Sequence, residues 1–99
     1  IPDSAYCPHI EQWGRSHNRV VPVAEAKRGD LVLFDFDRTG RSQHIGLLNI
    51  NFSTKNPEYL FTIEGNTGAI SASEGDGVQK KKRHVSLVRI IVRPKWSKE

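Results

Sequence analysis

The apolar positions of this chain form one short helical pattern near its start and a series of strand-like runs after it. Pro8-His9-Ile10-Glu11-Gln12-Trp13, closed by Gly14, predicts a helix of about two turns. Proline suits the first helical position, where its missing N–H costs nothing, and glycine suits the stop. Cys7 then stands at the helix N-terminus. Arg15 to Arg19 is a polar connector, and Val20 to Asp30 reads as an extended piece ending in a turn at Gly29-Asp30. Leu31 to Phe36 is a dense apolar and aromatic run, Asp37 to Ser42 is turn-like around Gly40, and Gln43 to Ile50 is a second run; together they predict a β-hairpin. Asn51 to Glu58 is a polar connector, Tyr59 to Glu64 a third strand and Val85 to Val92 a fourth. Between those two lie Gly65 to Gly77, with four glycines, and the run Lys80-Lys81-Lys82-Arg83, read as a solvated loop. One helix followed by strands predicts the α+β class, with the helix packed on an antiparallel sheet.

Length and composition narrow this picture. Ninety-nine residues fit a single domain, 1–99, with one modest core, since a chain of this size buries roughly 60–65% of its surface on folding. The apolar fraction is 36%, the mean hydropathy is −0.53, and no apolar run approaches the ~20 residues of a membrane-spanning helix, so no membrane span is expected. Cys7 is the single cysteine, which excludes an internal disulfide and leaves the redox compartment open. No internal repeat or heptad pattern is present. The chain opens Ile-Pro-Asp-Ser-Ala-Tyr, with neither an initiator Met nor a signal-peptide pattern, so it reads as a domain excised or N-terminally truncated from a larger protein with additional domains. Lys and Arg number 15 against 11 Asp and Glu, and the net charge of +4 favours anionic partners such as wall polymers, nucleic acid or acidic lipid.

Three positions carry candidate chemistry. Cys7 at a helix start feels the positive end of the helix dipole, which favours the thiolate, and unpaired N–H groups at the same helix end can hold an oxyanion. Taken alone, a lone cysteine reads first as a small buried hydrophobe. His44 opens the run His44-Ile45-Gly46-Leu47-Leu48 and shares a strand face with Gly46, whose missing side chain leaves space beside the imidazole for a helix end or a substrate. Its plain alternative is a hydrogen-bonded structural histidine. In Thr62-Ile63-Glu64-Gly65-Asn66-Thr67, Glu64 and Asn66 are two apart and point the same way if extended, where either could orient the imidazole; the alternative is an ordinary turn after a strand.

Cys7 after an aromatic residue, Gly29-Asp30-Leu31-Val32-Leu33-Phe34, His44-Ile45-Gly46, Thr62-Ile63-Glu64-Gly65-Asn66-Thr67, Gly77-Val78 and Val92-Arg93-Pro94 follow one another along the whole chain. In that order they resemble the CHAP family of cysteine, histidine-dependent amidohydrolases and peptidases, which is related to NlpC/P60 and to papain-like peptidases. The resemblance implies a papain-like α+β domain that cleaves peptidoglycan, either as an N-acetylmuramoyl-L-alanine amidase or as an endopeptidase in the stem peptide or cross-bridge. It implies Cys7 as nucleophile, His44 as base, Glu64 as the residue that orients the histidine, and Asn66 as a further polar member of the site. The implied partner is bacterial peptidoglycan, reached as a secreted or phage-delivered protein acting at the cell wall, as in an endolysin. No cofactor is expected, and no metal: the acidic calcium loop of some relatives has no counterpart, and one Cys with scattered His gives no zinc-ligand spacing.

Three other histidines compete. His9 is two residues from Cys7 on the predicted helix, a spacing at which side chains do not face one another. His17 lies in the connector, and His84 closes the basic run as a surface or strand-end residue. Two other functions fit parts of the sequence: a non-catalytic cell-wall-binding or assembly module of the same fold, and a basic β domain binding nucleic acid through Lys80 to Arg83. The second is disfavoured because the run is read as one loop without interleaved exposed aromatics.

Overall fold

The computed structural model describes residues 6–65 and 78–95. The first element is the helix α1, Cys7–Ser16. It starts from an extended Tyr6 that offers no side-chain cap and carries Pro8 in its first turn. Gly14 does not end it. A Cβ on Gly14 would lie 2.7 Å from Val92 Cγ2, so the glycine is there to let the helix press onto the sheet. The stop comes at His17 and Asn18, where Asn18 turns into the left-handed region (φ 57°) and the Arg19 N–H returns to the Gly14 carbonyl at 2.8 Å.

Strands β1 (Val20–Val21), β2 (Leu31–Phe34), β3 (His44–Leu48), β4 (Tyr59–Gly65), β5 (Val78–His84) and β6 (Val88–Val92) follow, with 3-10 turns at Val23–Glu25 and Val85–Leu87. Among the described residues they form one antiparallel sheet in the order β1-β6-β2-β3-β4-β5. With a single helix packed on it, this is a small α+β domain. No helix among the described residues is long and apolar enough to cross a membrane.

The predicted hairpin forms, with Leu31 opposite Leu47 and Phe34 opposite His44. β2 stops at Phe34 because the buried Asp35 carboxylate collects the N–H groups of Thr39, Gly40 and Arg41, closing the loop on itself. The basic run is a strand and not the expected loop. Residues Val78 to His84 pair in unbroken register with β4, from Gly65 opposite Val78 to Tyr59 opposite His84. Lys80, Lys81 and Lys82 are exposed at the sheet edge, where lysines discourage a further strand from adding.

Alternation divides the core in two. On one face Val32, Phe34, Leu48, Leu60 and Ile91 pack together with Ala26. On the other, Leu33, Ile90 and Val92 receive Ile10 of α1, with Cys7, Trp13, Leu31 and Ile45 at the margin. Burying side chains of this size is worth roughly 1.5–3 kcal/mol each, and it is what holds the helix against β6, β2 and β3.

Candidate functional site

His44 begins β3, opposite Phe34, and its ring lies 6.0 Å from that of Phe34 and 5.4 Å from that of Phe36. Strand alternation puts it on the Phe34 and Leu48 face, together with Leu60, Thr62 and Glu64 of β4. There His44 Nε2 meets Glu64 Oε1 at 2.8 Å. The approach depends on Gly46: a Cβ at that position would lie 2.9 Å from Glu64 Cγ and 3.1 Å from Thr62 Cβ. The space expected beside the imidazole for a helix end or a substrate is therefore filled by the orienting carboxylate itself.

Glu64 is almost fully enclosed, its side chain 2% exposed, and it accepts four hydrogen bonds. Besides His44, Thr62 Oγ1 donates to Oε2 at 2.6 Å, Arg83 Nε to Oε2 at 3.0 Å and Arg83 Nη2 to Oε1 at 2.6 Å. Burial pushes the carboxyl upward, but the bonds from Arg83, Thr62 and His44 and the charge of Arg83 outweigh it and hold its pKa at about 2. An ionised carboxylate can only accept, so the proton of the His44–Glu64 bond sits on Nε2. In the neutral imidazole the lone pair is then on Nδ1, which has no hydrogen-bond partner among the described residues, on a side chain that is 23% exposed.

Arg83 was not foreseen as part of this group. It sits opposite Leu60 on β5, and its guanidinium lies 4.9 Å from the Phe36 ring centre and 5.7 Å from that of Phe34. The bidentate grip on Glu64 raises its own pKa. Within the run of four cations, its guanidinium beside three lysines was the signal available, though without the strand register nothing tied it to Glu64.

Cys7 stands at the start of α1 as expected, half-buried beside the cluster that includes Ile45 and Trp13. Neighbours along β3, Ile45 and His44 face opposite sides of the sheet, so the thiol borders the helix side while the imidazole belongs to the other. No hydrogen bond joins Cys7 to His44 among the described residues. Desolvation by burial raises the thiol pKa, and a lowering by the Cys7 backbone N–H does not cancel it. The helix end also supplies fewer oxyanion donors than expected: Pro8 has no N–H, and the His9 N–H already donates to the Tyr6 carbonyl at 2.9 Å. The Cys7 N–H, which is directed at its own thiol, has no backbone acceptor among the described residues.

The other histidines are engaged elsewhere. His9 packs edge-on to Tyr6, His17 stacks on Trp13 at the far end of α1, and His84 accepts from the Ser86 N–H in the turn before β6. Asn66, Thr67 and the glycine-rich connector through Gly77 lie outside the described residues. Compared with protein-family models, with curated proteins and with solved structures, the chain matches none.

Proposed function

We propose that this chain is a cysteine-dependent hydrolase of amide or peptide bonds in bacterial peptidoglycan, with a papain-like fold. The observation that carries the reading is the His44–Glu64 pair, which selects the tautomer a general base needs when the imidazole is neutral: Nε2–H on a buried carboxylate and the lone pair on Nδ1. The order of motifs from Cys7 to Arg93 supports the substrate class. At the wall, His44 Nδ1 takes the thiol proton as Cys7 Sγ attacks the carbonyl carbon. The Cys7 N–H donates to the developing oxyanion. As the C–N bond breaks, Nδ1–H returns its proton to the departing amine, and water then cleaves the thioester and restores the thiol. This chemistry requires the neutral thiol to leave the margin of the helix cluster and reach the His44 edge when substrate binds. The resemblance adds Asn66, outside the described residues, as a further polar residue for this chemistry. The chain acts at the cell wall as a secreted or phage-delivered protein.

Two observations favour a second reading, a non-catalytic wall-binding module of the same fold. The raised thiol pKa and the lack of a Cys7–His44 bond are what a structural cysteine would have. Digestion of purified peptidoglycan, followed by mass spectrometry of the released fragments, separates the two. New N-terminal alanine marks an amidase, new glycine or diamino-acid ends mark an endopeptidase, and no new ends leave the binding module.

A further inference from the structure

A groove runs between the first turns of α1 and the loop before β3, bounded by Pro8, Glu11, Arg15, Arg41, Ser42 and Arg89. Its floor is Glu11, a buried carboxylate held by Arg15 through Nε at 3.1 Å and Nη2 at 2.9 Å, by Arg89 Nε at 3.1 Å and by Ser42 Oγ at 2.6 Å. Glu11 thus holds Arg15 along one edge and Arg89 through Nε alone, leaving Arg89 with both Nη groups, and Arg15 with Nη1, unused by it. Arg41 adds a third guanidinium, steadied by the Tyr6 hydroxyl and ring. Three arginines face the Glu11 carboxylate, and the Asp35 carboxylate lies behind the Gly40 and Arg41 backbone, so this open groove keeps a net positive charge. Its end at Pro8 adjoins Cys7, and Ser42 is two residues before His44.

We infer that this groove binds a carboxylate of the substrate peptide, one or two residues from the bond attacked at Cys7. Planar guanidiniums with free N–H edges match a carboxylate in charge and in fork geometry. The inference rests on the hydrolase reading for the identity of the substrate, but binding can be measured without turnover. The test uses the Cys7→Ala chain, 15N-labelled, titrated with N-acetyl-L-alanyl-D-glutamic acid, with the corresponding diamide and with inorganic phosphate.

The acid is expected to shift the Nε–H resonances of Arg15 and Arg89 and to bind at least ~10-fold more tightly than the diamide. Arg41→Gln, which spares the bonds to Glu11, should weaken the acid about 5- to 10-fold and leave the diamide unchanged. Equal binding of acid and diamide, phosphate binding tighter than the acid, or no effect of Arg41→Gln would each overturn the inference. Carboxylate binding in a chain that cuts no wall bond would remove the hydrolase and keep the groove. Wall cleavage with no preference for the acid would do the reverse.

Discussion

Oε1 of Glu64 accepts from His44 Nε2 at 2.8 Å and from Arg83 Nη2 at 2.6 Å, so one buried oxygen joins the candidate base to a cation of the neighbouring strand. In Glu64→Gln the amide oxygen can still accept from the imidazole, which taken alone would make the change mild. Four donated hydrogen bonds change that. The amide can offer one oxygen, and its NH2 must then face Thr62 or Arg83. Removing the charge also leaves Arg83 without its partner. A loss of about 2–4 kcal/mol in folding free energy is expected, measured by urea denaturation at pH 7. A variant as stable as the parent would contradict the arrangement.

The same carboxylate makes stability depend on pH. Its pKa falls from an ordinary 4.5 to about 2 on folding. A depressed carboxylate contributes stability that is complete above its unfolded value and is lost as pH falls through the folded one. The window is therefore about pH 4.5 down to 2. At about 1.4 kcal/mol per tenfold change in proton affinity, Glu64 contributes on the order of 3 kcal/mol there. Burial pushes Glu11 upward, but Ser42, Arg15 and Arg89 hold it low, so it adds in the same direction. Denaturation midpoints should fall steeply below pH 4.5 in the parent chain and much less steeply in Glu64→Gln; parallel curves would remove Glu64 from the explanation.

Gly46→Ala should disturb the site without touching any polar group. The new Cβ would stand 2.9 Å from Glu64 Cγ, on a side chain tied by four hydrogen bonds. A cost of about 1–3 kcal/mol is expected from the overpacking. The His44 Nε2–H proton signal should shift or broaden as the carboxylate is displaced. An unchanged signal together with unchanged stability would show that the contact is looser than described.

The Cys7 thiol, raised by burial, should alkylate slowly in the free protein. With iodoacetamide at pH 6 to 8, the rate should fall below that of the unfolded chain, and His44→Ala should leave it unchanged, because no bond joins the two side chains at rest. Rapid labelling at pH 6, or a rate that depends on His44, would show that a thiolate and imidazolium already exist before substrate arrives.

The strands around the site were legible because β2, β3 and β4 bury apolar side chains, and burial leaves a mark in the sequence. Strand β5 leaves none: its lysines are exposed, and its pairing with β4 is carried by backbone hydrogen bonds that any residue but proline can make. Arg83 was lost with it, although it contributes half of the bonds to Glu64. Gly14 reads as a helix stop because glycine's freedom is a local property, whereas the press of Val92 against it is a contact between residues 78 apart. His44 and Glu64 were found through Gly46 and the period of two along a strand. Which face of the sheet Cys7 borders depends on where α1 docks, and that is fixed by Ile10 meeting Leu33, Ile90 and Val92.

Wall cleavage by the whole chain, compared with Cys7→Ala and His44→Ala, is the most direct measurement, with circular dichroism confirming that each variant is folded. New peptide ends should appear with the parent chain and fall by at least ~100-fold in both variants, since nucleophile and base act in the same step. Undiminished release of ends by either folded variant would contradict the assignment of that residue to the chemistry.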